Sequence, residues 1–195
     1  MKRETVDWQI AAQRLAAGEV GVVPTDTLYG IVGSALKPAA VERIYKLRER
    51  EQDKPMIVLI GGWVDFERLQ IGIPERTRNL LGKVWPGPVS VIVSVPSPAL
   101  AYLHRGTGSI AFRMPAKPEL RELLKTVGPV VAPSANLAGQ EPALNVDEAK
   151  GYFGEAVFYL DEGTLNNPPS ALVDARVDPP RILRPAAGFN PSVLG

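Results

Sequence analysis

The 195-residue chain has no cysteine. That excludes a disulfide framework, a zinc-thiolate site, an iron–sulfur cluster and a cysteine nucleophile. It has a single histidine, His104, so no site needing two imidazoles can form and the His-Glu-x-x-His zinc motif is absent. No apolar run reaches the roughly 18 residues of a membrane span. Charge of one sign is also missing: 22 Lys and Arg against 21 Asp and Glu leave a net +1, so any basic patch must be local. The start, Met1-Lys2-Arg3-Glu4, leads into Asp7 and Gln9 without an apolar signal core. The expectation is a cytoplasmic chain that begins near Met1.

Proline and glycine, 19 and 18, are scattered as punctuation rather than pooled in a linker. Helical spacing predicts helices from an N-cap at Thr5 to Gly18, from Pro38, over Trp63–Leu69, Pro74–Val84 and Lys117–Val127, and after a capping box at Asn145 and Glu148. Short apolar runs predict strands at Val20–Val23, Met56–Ile60, Val89–Val95, Ser109–Met114, Pro129–Ala132, Ala156–Leu160, Ala171–Asp174 and Ile182–Leu183. Loops fill the remainder, among them all of the stretch between Pro24 and Pro38. The order predicts an α/β fold: a twisted mixed sheet with flanking helices, in one domain over residues 1–195.

Several chemistries can be struck out. Gly82-Lys83 lacks the leading glycine of a P-loop. Gly106-Thr107-Gly108-Ser109-Ile110-Ala111 fits the loose dinucleotide pattern, but a β-rich run follows it where a helix is required. No Gly-x-Ser-x-Gly elbow exists. His104 has no carboxylate nearby in sequence to orient it and reads as structural.

What remains is hydroxyls, amides and cations at strand–loop junctions, a set suited to holding and neutralising an anionic substrate. Pro24-Thr25-Asp26-Thr27-Leu28-Tyr29-Gly30 follows a buried strand; taken alone, an ordinary turn explains it better than a ligand site does. Lys46 and Arg48, with Lys54-Pro55 beyond, are two apart and converge only if the helix has ended there. Ser109, Ala111 and Arg113 alternate onto one face of a strand, where a half-buried arginine needs an anion or a carboxylate. Pro133-Ser134-Ala135-Asn136 combines small residues with hydrogen-bond donors, and Ser170 and Arg184 lie in later loops.

In this order the segments, together with Trp85-Pro86-Gly87-Pro88 and Arg113-Met114-Pro115, resemble the YrdC-like family of threonylcarbamoyl-AMP synthases (TsaC type, short single-domain form). The resemblance spans about Val20 to Arg184. It implies a YrdC-like fold with a concave basic cavity, and a nucleotidyl transfer in which L-threonine, bicarbonate or CO2, and ATP give threonylcarbamoyl-AMP and pyrophosphate. The product serves threonylcarbamoyladenosine modification of tRNA by downstream proteins. By position, Thr25, Arg113, Ala132 and Ser170 are expected at threonine. Lys46, Arg48, Lys54, Ser109, Ser134, Asn136 and Arg184 are expected around ATP, with Lys46 and Arg48 also in the catalytic role. Mg2+ is expected to arrive with ATP, held by phosphates and water rather than a carboxylate cage. Leu59 stands where some relatives carry a histidine beside threonine, so that contact is not carried over. An RNA-binding module, and a paralogue using another carbamoyl acceptor, are the alternatives.

Overall fold

The computed structural model describes residues 5–186 and 188–194; the basic start read at Met1–Glu4 lies outside them. The chain runs α1 (Trp8–Ala17), β1 (Gly21–Pro24), β2 (Tyr29–Ser34), α2 (Pro38–Arg48), β3 (Val58–Leu59), α3 (Val64–Arg68), α4 (Glu75–Val84) and β4 (Val89–Ser94). It continues with α5 (Ala101–His104), β5 (Ser109–Arg113), α6 (Pro118–Val127), β6 (Val130–Val131), α7 (Val146–Phe153), β7 (Phe158–Tyr159), β8 (Ala171–Asp174) and β9 (Arg181–Arg184). The strands form one mixed sheet in the order β7-β1-β2-β6-β3-β5-β4-β8-β9. No described helix is long and apolar enough to cross a membrane.

Several expectations need correction. Pro129–Ala132 and Ala156–Leu160 shorten to β6 and β7, the short helix α5 forms in a stretch read as loop, and Arg184 lies on β9 rather than in a loop. The N-cap of α1 is Asp7, whose carboxylate accepts from Ile10 N at 2.8 Å, not Thr5; a carboxylate one residue before the helix outcompetes a hydroxyl further out. The stretch read as loop after Pro24 contains β2, masked by Gly30 and Gly33. A Cβ at Gly33 would stand 3.1 Å from Ile44 Cδ1 and 3.3 Å from Ala40 Cβ, so glycine lets α2 press against the strand. Met56–Ile60 shortens to the two-residue β3, because only Val58 and Leu59 pair on both sides, with β5 and β6.

Alternation within each strand sorts side chains to two cores. Val22, Ile31, Val58, Phe112 and Val131 join the larger cluster with α2 and α4. Val23, Val32, Leu59 and Val130 join the smaller one with Leu15 of α1 and Leu120, Leu123 and Leu124 of α6. Both faces of the central strands are thus buried, which explains their unbroken apolar runs. Helix α6 sits tightly on its support: a Cβ at Gly61 would lie 2.8 Å from Lys125 N and 3.0 Å from Leu124 C. Gly61→Ala is expected to destabilise the fold by about 1–3 kcal/mol in urea unfolding. Gly62→Ala, with nothing within 4 Å, should stay within about 0.5 kcal/mol.

Helices α1 and α6 cover only part of their face of the sheet. Along β5, β4, β8 and β9 the same face carries Ser109, Ala111 and Arg113, then Ser90 and Ile92, then Leu172 and Asp174, and Arg184. The register sets them side by side: Ile92 opposite Ala111 and Asp174, and Leu172 opposite Arg184. Polar residues interspersed with Ala111, Ile92 and Leu172 here, backed by Val91, Phe112 and Val173 at 0% exposure on the reverse, make a floor rather than a core.

Candidate functional site

Two adjoining hollows open on that floor and share Ile57 and Arg184. The first, about 430 Å³, is lined by Thr25, Thr27, Arg113, Ala132, Ser134, Ser170 and Arg184 among others. The second, about 370 Å³, is lined by Arg50, Thr107, Ser109, Arg176 and Arg184 over an apolar base of Met56, Ile57, Ile92, Ala111 and Leu172. A roomier trough of about 610 Å³ lies between α4 and Pro179-Pro180. Arg76 and Asp178 on its lining pair with each other, and none of the candidate residues read from the sequence lies on it.

The segment after β1 forms the wall of the first hollow. Thr25 Oγ1 donates to Leu28 O (2.7 Å) and accepts from Thr27 N (3.0 Å) and Leu28 N (3.2 Å), so this threonine does build the expected turn. That turn presents Thr27 to Arg113, whose Nη1 donates to Thr27 Oγ1 at 2.9 Å. Asp26 is turned toward the same guanidinium, at 3.4 Å from Oδ1 to Nη2, while its Oδ2 accepts from Ala116 N. This ion pair closes no hydrogen bond: Asp26 Oδ1 and Arg113 Nε are buried with no partner. Arg113 is 4% exposed. Burial lowers its pKa, Asp26 opposes that shift, and Arg184 adds to it. A buried guanidinium short of acceptors, beside a cavity, is poised for a carboxylate.

The loop after β6 forms the opposite wall. Ser134 Oγ donates to Asn136 Oδ1 at 2.6 Å, and Asn136 Nδ2 bonds Leu137 O and Gln140 O. Behind it, Arg48 donates from Nε to Asn136 O (3.0 Å) and from Nη2 to Asn136 Oδ1 (3.2 Å). Burial, with a smaller contribution from Arg50, lowers the Arg48 pKa to about 10, so it stays cationic at neutral pH. On the floor, Arg184 Nε donates to Ser170 O at 2.9 Å, and Ser170 and Ser90 pair through their hydroxyls at 2.9 Å.

The structure therefore brings Thr25, Arg113, Ala132, Ser134, Ser170 and Arg184 to one hollow and Ser109 to its neighbour. Arg48 and Asn136 form a buried pair behind the wall. Lys46 and Lys54 line neither hollow. Helix α2 runs intact through Arg48, so the condition for Lys46 and Arg48 to converge is not met: Lys46 faces solvent and Arg48 the interior. Lys54 Nζ instead pairs with Glu51 at 2.8 Å. His104 is structural, with Nδ1 accepting from Gly106 N and Gly108 N and Nε2 against Ser97 O. Leu59 is packed among the α1 and α6 contacts.

Sequence reasoning passed over Thr27, Arg50 and Arg176. Thr27 was readable as the second hydroxyl of its segment. Arg50 looked like one more charge at a solvated helix end, and Arg176 lies in a turn without periodicity. Among the described residues no group of three or more His, Cys, Asp or Glu could hold a metal ion.

Residues 13–186 match the profile of the Sua5/YciO/YrdC family, described as telomere recombination. A Mycobacterium leprae protein provisionally named a threonylcarbamoyl-AMP synthase is 40% identical over 177 residues, covering 89% of this chain and 80% of that protein. The threonylcarbamoyl-AMP synthase of Pyrococcus abyssi is 32% identical over 189 residues, covering 94% of this chain and 56% of its own. A crystal structure of P. abyssi Sua5 complexed with L-threonine superposes with a TM-score of 0.81 at 29% identity, covering 94% of this chain and 56% of that one. Escherichia coli YciO, at 21% identity and a TM-score of 0.79 over 95% of this chain and 93% of its own, shares the fold. The chain thus spans a little over half the length of the P. abyssi protein.

Proposed function

The chain belongs to the Sua5/YciO/YrdC family, and from that premise we propose that it is a threonylcarbamoyl-AMP synthase, an enzyme of the nucleotidyltransferase class. L-Threonine and bicarbonate condense with loss of water to N-carboxythreonine. An oxygen of its carbamate group attacks the α-phosphorus of ATP, forming the O–P bond as pyrophosphate leaves. The nucleophile belongs to the substrate, so the protein has only to bind, orient and neutralise charge.

One observation carries this reading. A buried arginine with an unpaired Nε lines a hollow of about 430 Å³ among hydroxyls, and that hollow shares Arg184 with a second one rimmed by three arginines. Arg113 suits the threonine carboxylate, Thr25, Thr27 and Ser170 its polar surroundings, and Ala132 the space beside it. Ser134, the Arg48–Asn136 pair, Ser109 and Arg184 suit the nucleotide. Lys46 and Lys54, which line neither hollow, stay in this reading only as long, flexible cations that would have to swing toward the phosphates. Mg2+ would come with the ATP phosphates and screen their charge. A concave basic surface is part of the same reading, supported by Arg50, Arg113, Arg176 and Arg184. The acylated adenylate would then pass to proteins that modify tRNA. The synthase names of the relatives favour this over an RNA-binding module or another carbamoyl acceptor.

The test is pyrophosphate release from ATP and bicarbonate with L-threonine present or omitted. Release that requires threonine is expected. Release independent of threonine, or none, overturns the function.

A further inference from the structure

The second hollow has a cationic rim, but its base is wrong for a phosphate cradle. Its base is apolar, made of Met56, Ile57, Ile92, Ala111 and Leu172. It opens at the Ser109 end of β5, some 13 Å from Arg113 at ~3.3 Å per residue. That distance outruns the pyrophosphate arm of an ATP whose α-phosphorus sits beside the amino acid, and matches the arm that ends in the purine.

Arg176 stands at the rim, and its placement is overdetermined. Asp174, 2% exposed at the end of β8, accepts from Arg176 Nε and Nη2, each at 2.8 Å, and from its main-chain N at 3.0 Å. Nη1 reaches Ser109 Oγ at 3.3 Å. Three of the five N–H groups of a guanidinium are thereby engaged, leaving two to donate to a ligand. A planar cation fixed by a carboxylate fork, standing over an apolar floor beside an oriented hydroxyl, is suited to the flat face and ring nitrogens of a heterocycle.

We propose that Arg176, clamped by Asp174, positions the nucleoside end of ATP in this hollow, both by its own contact and by holding Ser109. The assignment rests on the nucleotide reading above and adds to it a specific residue and a specific end of the molecule. Arg50 and Arg184, on the same lining, supply further positive charge without a carboxylate clamp of this kind.

The experiment compares wild type with R176Q, R176K and the D174N/R176Q double variant, which leaves no buried unpaired carboxylate. Calorimetry with AMP, inorganic pyrophosphate and L-threonine is run beside steady-state pyrophosphate release. R176Q and the double variant should raise the KM for ATP and weaken AMP about tenfold or more. Pyrophosphate and threonine affinities should stay within about twofold of wild type. R176K, which keeps the charge without the fork, should recover only part of the loss. Unchanged AMP affinity, or equal losses for AMP and pyrophosphate, overturns the assignment. A readout on the unmutated protein guards against variants that fail to fold: AMP, and not pyrophosphate, should protect Arg176 from an arginine-directed dicarbonyl reagent followed by mass spectrometry. Protection by pyrophosphate alone, or by neither, also overturns it. Should wild type bind AMP through Arg176 yet release no threonine-dependent pyrophosphate, the functional reading falls and this assignment stands.

Discussion

Arg113→Ala is expected to weaken L-threonine binding by roughly thirty-fold or more while ATP affinity changes by less than about twofold. The estimate follows from the ~2–5 kcal/mol lost when one partner of a buried, hydrogen-bonded charge pair is removed, at 1.4 kcal/mol per decade. Its geometry argues for the upper part of that range: Arg113 is 4% exposed and its Nε is unpaired, so water cannot replace it at the carboxylate. Arg113→Lys keeps the charge but loses the planar fork and should fall between the two. Titration calorimetry with threonine and with ATP makes the measurement. Equal losses for both ligands would reduce Arg113 to a general structural role, and an unchanged threonine affinity would refute its assignment.

Arg48→Met should act differently, on the scaffold and on turnover together. Its Nε and Nη2 bonds are given to the main-chain and side-chain oxygens of Asn136. Asn136 Oδ1 keeps its bond from Ser134, so the main-chain oxygen of Asn136 is the acceptor left stranded; that costs about 1–3 kcal/mol of unfolding free energy. Melting should fall by roughly 2–12 °C for a chain of this size. Loosening Asn136 releases Ser134, so threonine-dependent pyrophosphate release should fall as well. Lys46→Ala supplies the contrast. Exposed on the same helix, it should shift stability by no more than about 0.5 kcal/mol, and any loss of turnover then reports a contact with substrate. Thermal unfolding and pyrophosphate release of both variants make the comparison. Arg48→Met with wild-type stability would show that its bonds to Asn136 contribute little.

The sequence was most legible where period and chemistry coincided. Ser109, Ala111 and Arg113 could be placed on one strand face by alternation alone, and the structure puts all three on the lining of the two hollows. Ala171–Asp174 was readable to the residue because a short apolar run and its turn agree. Strand β2 was hidden because Gly30 and Gly33 lower strand propensity, and their value appears only once α2 and the Ser134 loop close on them. The Lys46–Arg48 spacing could be read as a conditional, and the intact helix decides against convergence. Arg50 and Arg176 were out of reach for a different reason. Their partners, Pro55 O and Asp174, are near in the chain; what no local pattern shows is that the segment after α2 and the turn after β8 meet at one hollow.

The bare half of the sheet ties ligand capture to the integrity of the interior. Arg113 is the next residue after Phe112, and Leu172 precedes Val173, so each contact surface is one peptide away from a side chain in the hydrophobic interior. Rigidity for recognition is thus borrowed from the packing behind it. Attempts to redirect the protein to a different amino acid would have most freedom at Glu141 and Leu144, exposed side chains on the lining of the first hollow. Changes planted in β5 or β8 would tax folding and selectivity at once.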